Sequence, residues 1–89
     1  MEITDLKEGR RLRAAILAVA ENQMRENDPP ETNQTYQRLI LAGHGDEEAR
    51  RLIGCIVASE VFEILRKNEV FSLARFVQAL NRLPALPAD

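Results

Sequence analysis

The segment from Asp46 to Lys67 constrains the fold more than any other part of the chain. Asp46 or Gly45 can cap it, and Glu47 and Glu48 suit the positive end of a helix dipole. In helical projection, Ile53, Val57, Val61 and Ile64 cover one side, and Cys55, Ala58, Phe62 and Leu65 cover the next. Ser59, Glu60, Glu63 and Arg66 leave only a narrow polar strip, which Leu52 and Ile56 partly close. An apolar arc of roughly 200° needs neighbours on more than one side, so this helix is expected to be the hub of the fold.

Three further helices are expected around it. The first spans residues 5–26, capped by Thr4 or Asp5. Leu12, Ile16, Val19, Ala20 and Gln23 form its inner stripe, which Leu6, Leu17 and Met24 widen. Gly9 costs its first turns about 1 kcal/mol relative to Ala. Asn27-Asp28-Pro29-Pro30 ends it. Asp28 reads as the next N-cap, with Pro29 at the first helical position and Glu31 two residues on. This second helix spans residues 29–42, with Tyr36, Leu39 and Ile40 inward and Gly43 in the left-handed position that closes a helix. The hub occupies residues 46–67, and Asn68-Glu69 break it. Ser72 caps the last helix, residues 72–83, and Phe71 is placed to staple against Phe76. Leu73, Phe76, Val77 and Leu80 repeat at helical spacing, Pro84 stops the helix, and residues 84–89 form a fraying tail. No strand pattern competes. The expectation is one all-α domain over residues 1–89, a compact four-helix fold with an apolar third helix at its centre.

Composition narrows the function classes. Hydrophobic residues make up 45% and charged residues 29% of the 89 residues, which excludes a disordered chain. The net charge of −2 lacks the basic excess that phosphate neutralisation calls for, so nucleic acid is not the expected partner. The alternative reading uses a local patch of Arg10, Arg11 and Arg13. The single cysteine forms no internal disulfide. Met1 to Arg13 is charged, unlike a secretory leader, and the apolar run Ala14 to Ala20 is far shorter than a membrane span. A cytoplasmic location with no membrane partner is the resulting expectation.

Each group that could carry chemistry has a plainer explanation. His44 sits beside Asp46, Glu47 and Glu48, but zinc sites draw four ligands dominated by His and Cys, so His44 is expected to pack within its turn. Cys55 lies mid-helix with no base nearby and reads as a small buried hydrophobe. Glu60 and Glu63 are one turn apart without the Glu-x-x-His partners of a di-iron bundle. They read as a solvated strip, with Glu63 pairing to Lys67. Arg50 and Arg51 are offset by Glu47 and Glu48. No Gly-rich phosphate loop, Ser/His/Asp set or paired-cysteine motif occurs. The expectation is a protein that is not an enzyme and holds no catalytic residue, cofactor or metal.

The surplus apolar surface of the third helix, together with Leu41 beside the inner stripe of the second, points to an interface. Leu41, Leu52 and Ile56 are its expected residues, and the partner is another protein or a second copy of this chain. The stretch Tyr36-Gln-Arg-Leu-Ile-Leu-Ala-Gly-His-Gly-Asp-Glu-Glu-Ala, with Phe76-Val-Gln-Ala-Leu-Asn-Arg-Leu-Pro84, resembles a family of small uncharacterised bacterial all-helical proteins. That family shares a Leu-x-x-x-Gly-His-x-x-x-Glu-Ala core and a C-terminal Leu-Pro. The resemblance covers roughly Asp28 to Pro84, implies the same helical fold, and brings no activity or ligand. Gly45 stands where a capping Ser is expected, which weakens the start of the third helix.

Overall fold

The computed structural model describes residues 6–87, with side chains from Gly9 onward. Among the described residues there are four helices and no strand: α1 (Leu6–Glu26), α2 (Pro30–Leu41), α3 (Asp46–Lys67) and α4 (Leu73–Arg82). The all-α four-helix architecture is the one expected. The proposed caps Thr4 and Asp5 lie outside the described residues.

Three helices end in the same way. Asn27, Gly43 and Asn68 have φ of 55°, 103° and 54°, the left-handed conformation that turns the chain off the helix axis. In each case the following N–H reaches back to a carbonyl five residues earlier. Asp28 donates to Gln23 at 3.0 Å, His44 to Leu39 at 3.0 Å and Glu69 to Ile64 at 3.1 Å. Helix-end carbonyls that lack intrahelical donors are thereby satisfied. The Leu-x-x-x-Gly-His motif is thus a helix terminator. Its Leu39 is fully buried, and so is the Ala49 that follows in the next helix.

The starts differ more from expectation. α2 begins one residue later than proposed: Pro29 is the N-cap (φ −76°, ψ 151°) and Pro30 the first helical residue. Pro30 excludes the helical region for the residue before it, so Pro29 is held extended and Asp28 is displaced from the cap. Gly45 caps α3 without a side-chain bond, leaving the acidic first turn to favour that end. Ser72 caps α4 as expected, its hydroxyl accepting the Arg75 N–H at 3.2 Å. The Phe71 and Phe76 rings lie 5.8 Å apart. The tail begins as a hydrogen-bonded turn rather than fraying at Pro84, because Ala85 donates to the Arg82 carbonyl at 2.9 Å.

α3 is central. Its Leu52, Ile53, Ile56 and Val57 are buried against Leu39 of α2, Phe76 and Leu80 of α4, and Ala20 of α1. α1 runs antiparallel to α3. Glu21 faces Arg50 at 3.5 Å, and further along a Cβ at Gly54 would lie 3.1 Å from Leu17 Cδ2. α2 joins α1 through Thr32, whose hydroxyl donates to Gln23 at 3.0 Å, and Asn33, which donates to the Met24 carbonyl at 2.7 Å. Buried Thr32 and Thr35 take inner positions on α2, while Ile40, expected inward, is exposed. α4 packs on α2 and α3 and, among the described residues, does not touch α1. Two flanks of α3 are therefore covered by different helices, and the arc between them is left open.

Candidate interaction surface

The open arc lies over the C-terminal half of α3. Leu12 and Ile16 of α1 form one wall, Cys55, Ala58, Phe62 and Leu65 the floor, and Leu86-Pro87 the far wall of a groove of about 850 Å³. A smaller notch of about 240 Å³ continues it between α1 and α3, where Gly9 and Gly54 leave space. The floor is not recessed. Phe62 is 63% and Leu65 76% exposed, and Leu12 on the wall is 62% exposed. Large apolar groups gathered at one place on a small domain are a different matter from singly scattered ones, which need no explanation. Arg66 lies over the Phe62 ring, 5.9 Å from its centre. Glu63 on the rim pairs with Arg66 at 2.8 Å and, as expected, with Lys67 at 3.1 Å. These two cations hold its carboxyl below the usual range.

The structure separates the three residues expected at an interface. Leu41 is 88% exposed, as an interface residue requires, but it stands at the other end of α3 and lines none of the groove. Leu52 and Ile56 are 5% and 1% exposed and belong to the core, because α2 and α4 pack on the side of α3 that holds them. Leu12 and Val19 were placed on the inner stripe of α1. Both are exposed, since the stripe that meets α3 runs through Ile16, Leu17 and Ala20. Cys55, expected buried, is half-buried and faces the groove. The signal available in the sequence was the row Cys55, Ala58, Phe62 and Leu65. Its apolar character is plain from the sequence, but nothing local shows that no helix among the described residues covers it.

The polar candidates resolve into scaffolding. Glu60 was expected on a solvated strip and is instead 6% exposed, clamped by Arg75. Tyr36, Asp46, Arg50 and Glu21 form a cluster that joins α1, α2 and α3. The Tyr36 hydroxyl donates to Asp46, and Arg50 Nε donates to Asp46 at 2.9 Å while its guanidinium lies over the Tyr36 ring. The bond from Tyr36, then that from Arg50, keeps the Asp46 carboxyl low, and the Tyr36 phenol is raised mainly by its bond to Asp46. His44 bonds Glu48 at 3.1 Å within its turn. No group of three potential metal-ligating side chains occurs among the described residues. Arg10, Arg11 and Arg13 are all exposed, but helical geometry spreads them over roughly 160° of α1, so they do not share one face. No helix among the described residues is long and apolar enough to cross a membrane.

Comparison of the chain with protein-family models, curated proteins and solved structures returns no match.

Proposed function

We propose that this protein is a non-catalytic interaction module whose binding surface is the groove bounded by α1, the C-terminal half of α3 and residues 86–87. The observation that carries the reading is the outward position of Leu12, Phe62 and Leu65 around one continuous apolar trough. Three side chains of that size, held in water by a domain with a small core, forgo burial free energy of about 1.5–3 kcal/mol each. A partner helix or strand laid in the trough recovers it. The ion pairs on the groove rim, Glu63 with Arg66 and Lys67, are local to α3 and do not converge on a point where a reacting group could sit.

Copurification of the tagged chain from the cells that make it tests this reading, run beside Leu12→Glu and Leu65→Glu variants. A protein retained by the parent chain and lost from both variants supports the groove. Partners that survive both substitutions, or nucleic acid that persists through moderate salt, overturn it.

A further inference from the structure

We infer that residues 84–87 form an intramolecular strap at the edge of the groove, and that Leu86 and Pro87 must swing aside before a ligand can use its full width. The inference rests on the interaction reading above and deepens it by naming what governs access to that surface.

The tail divides one trough into two. The groove of about 850 Å³ and a cavity of about 400 Å³ between α3 and α4 are lined in common by four residues, Ser59 and Glu63 of α3 and Leu86 and Pro87 of the tail. Phe76 and Ala79 of α4 continue the apolar lining on the far side. With Leu86 and Pro87 lifted away, the depression runs unbroken from α1 across α3 to α4. The tail therefore takes up part of the surface that it borders.

The two ends of this segment are held very differently. Leu83, just before it, is 2% exposed in the core, and its carbonyl accepts from Arg38 at 2.8 Å. Ala85 closes a turn on the Arg82 carbonyl at 2.9 Å. Among the described residues no hydrogen bond holds Leu86 or Pro87, and Pro87 has no N–H to offer. Leu86 is 48% exposed, so apolar contact along one side of its side chain is what keeps the tail down. Pro84 and Pro87 fix two backbone φ angles, which leaves Ala85 and Leu86 as the pivot. A fixed wall carries full burial or hydrogen bonds, as Leu83 does, and Leu86 has neither. A firm anchor followed by a short apolar end without bonds can lift while the core stays intact.

The same contact sets the strength of the strap. Burying half a leucine is worth roughly three- to tenfold in an equilibrium constant. The tail therefore lowers affinity for a groove ligand by about that factor, and it yields to any ligand whose apolar contact with the groove outweighs its own.

Leu86→Ser tests this, with the uncharged apolar dye Nile red as the probe. A strap and a wall predict opposite signs. If Leu86 is a strap, the variant binds the dye roughly three- to tenfold more tightly than the parent. Its helical circular dichroism and thermal midpoint are retained, because Leu86 lies outside the core. Adding Phe62→Glu to Leu86→Ser cancels the gain, which places the dye in the groove. A Leu86→Ser variant that takes up the dye no better than the parent, or a gain that survives Phe62→Glu, overturns the strap. Neither result touches the interaction module, which copurification with Leu12→Glu and Leu65→Glu decides separately. Partners that survive those two substitutions, together with a Phe62-dependent gain in Leu86→Ser, remove the module and leave the tail as the cover of a groove.

Discussion

Arg75 holds both oxygens of Glu60. Its Nε donates to Oε1 at 2.9 Å and its Nη2 to Oε2 at 2.6 Å, while the Ser72 N–H donates to Oε2 at 3.2 Å. One carboxylate on α3 therefore fixes both the first turn of α4 and the loop before it. Arg75 also reaches Glu69 at 3.1 Å, which ties in the end of α3. The bond from Arg75, aided by the Ser72 N–H, keeps the Glu60 carboxyl below the usual range despite its burial, and the same bond raises Arg75.

Glu60→Gln should destabilise the fold by about 1–3 kcal/mol, because it removes a charge-assisted double bond and leaves Arg75 half-buried without its main partner. Thermal unfolding at pH 7 measures this. The pH dependence has a definite sign. A carboxyl whose folded pKa is depressed stabilises the fold above the unfolded carboxylate range, and that contribution is lost as pH falls through the folded value. Stability should therefore be flat from pH 7 to 5 and fall below about pH 4. Asp46 and Glu63 are depressed in the same direction and titrate in the same window, so the reading is the difference between parent and Glu60→Gln. Equal acid slopes in the two proteins would refute the assignment.

Arg38 closes the far end of α4. Its guanidinium donates to the Leu83 carbonyl at 2.8 Å and the Leu80 carbonyl at 3.0 Å, placing a positive charge at the negative end of that helix. Arg38→Met should cost about 1–2 kcal/mol. Amide exchange at Leu83 and Ala85 should quicken more than exchange in α1, which α4 does not touch among the described residues.

Asn68 sits at φ 54° and is exposed, so its role is conformational. Asn68→Gly should be neutral or slightly stabilising. Asn68→Val should lose about 1–2 kcal/mol, since a β-branched residue resists the left-handed region. Denaturant midpoints of the pair would separate this effect from any side-chain contact.

Gly54 permits α1 to approach α3, with Leu17 pressed 3.1 Å from where its Cβ would be. Gly54→Ala should lie within about 1 kcal/mol of the parent, because the gain in helix propensity offsets a small shift of a flexible Leu side chain. Gly54→Leu should force the helices apart and lower Tm by well over 5 °C. A Leu variant as stable as the Ala variant would show that α1 does not pack closely there.

Phe62→Ser, by contrast, should change the stability of dilute protein by no more than about 0.5 kcal/mol, as for other substitutions outside the core. A large loss would mean that Phe62 serves the fold of the single chain.

The helix ends were legible in the sequence because they are decided within a few residues. Gly43 and Asn68 turn the chain through their own tolerance of positive φ, and Ser72 caps with its own hydroxyl. Pro30 shifts its neighbour by steric contact alone, a local effect that moved one boundary by one residue. The apolar character of α3, and hence its central place, follows from side-chain chemistry repeated at the helical period. Which part of α3 stays uncovered does not follow from it. Ile56 and Phe62 are equally apolar in sequence, yet one is in the core and the other in water, because α4 packs on one flank of α3 and α1 on another and neither reaches the arc between them. Glu60 reads as a surface residue until Arg75, fifteen positions away, arrives beside it. Local torsional preference and hydrophobic period determine the elements. The placement of elements distant in sequence decides which faces are buried, which charges are paired, and which row of apolar side chains is left exposed.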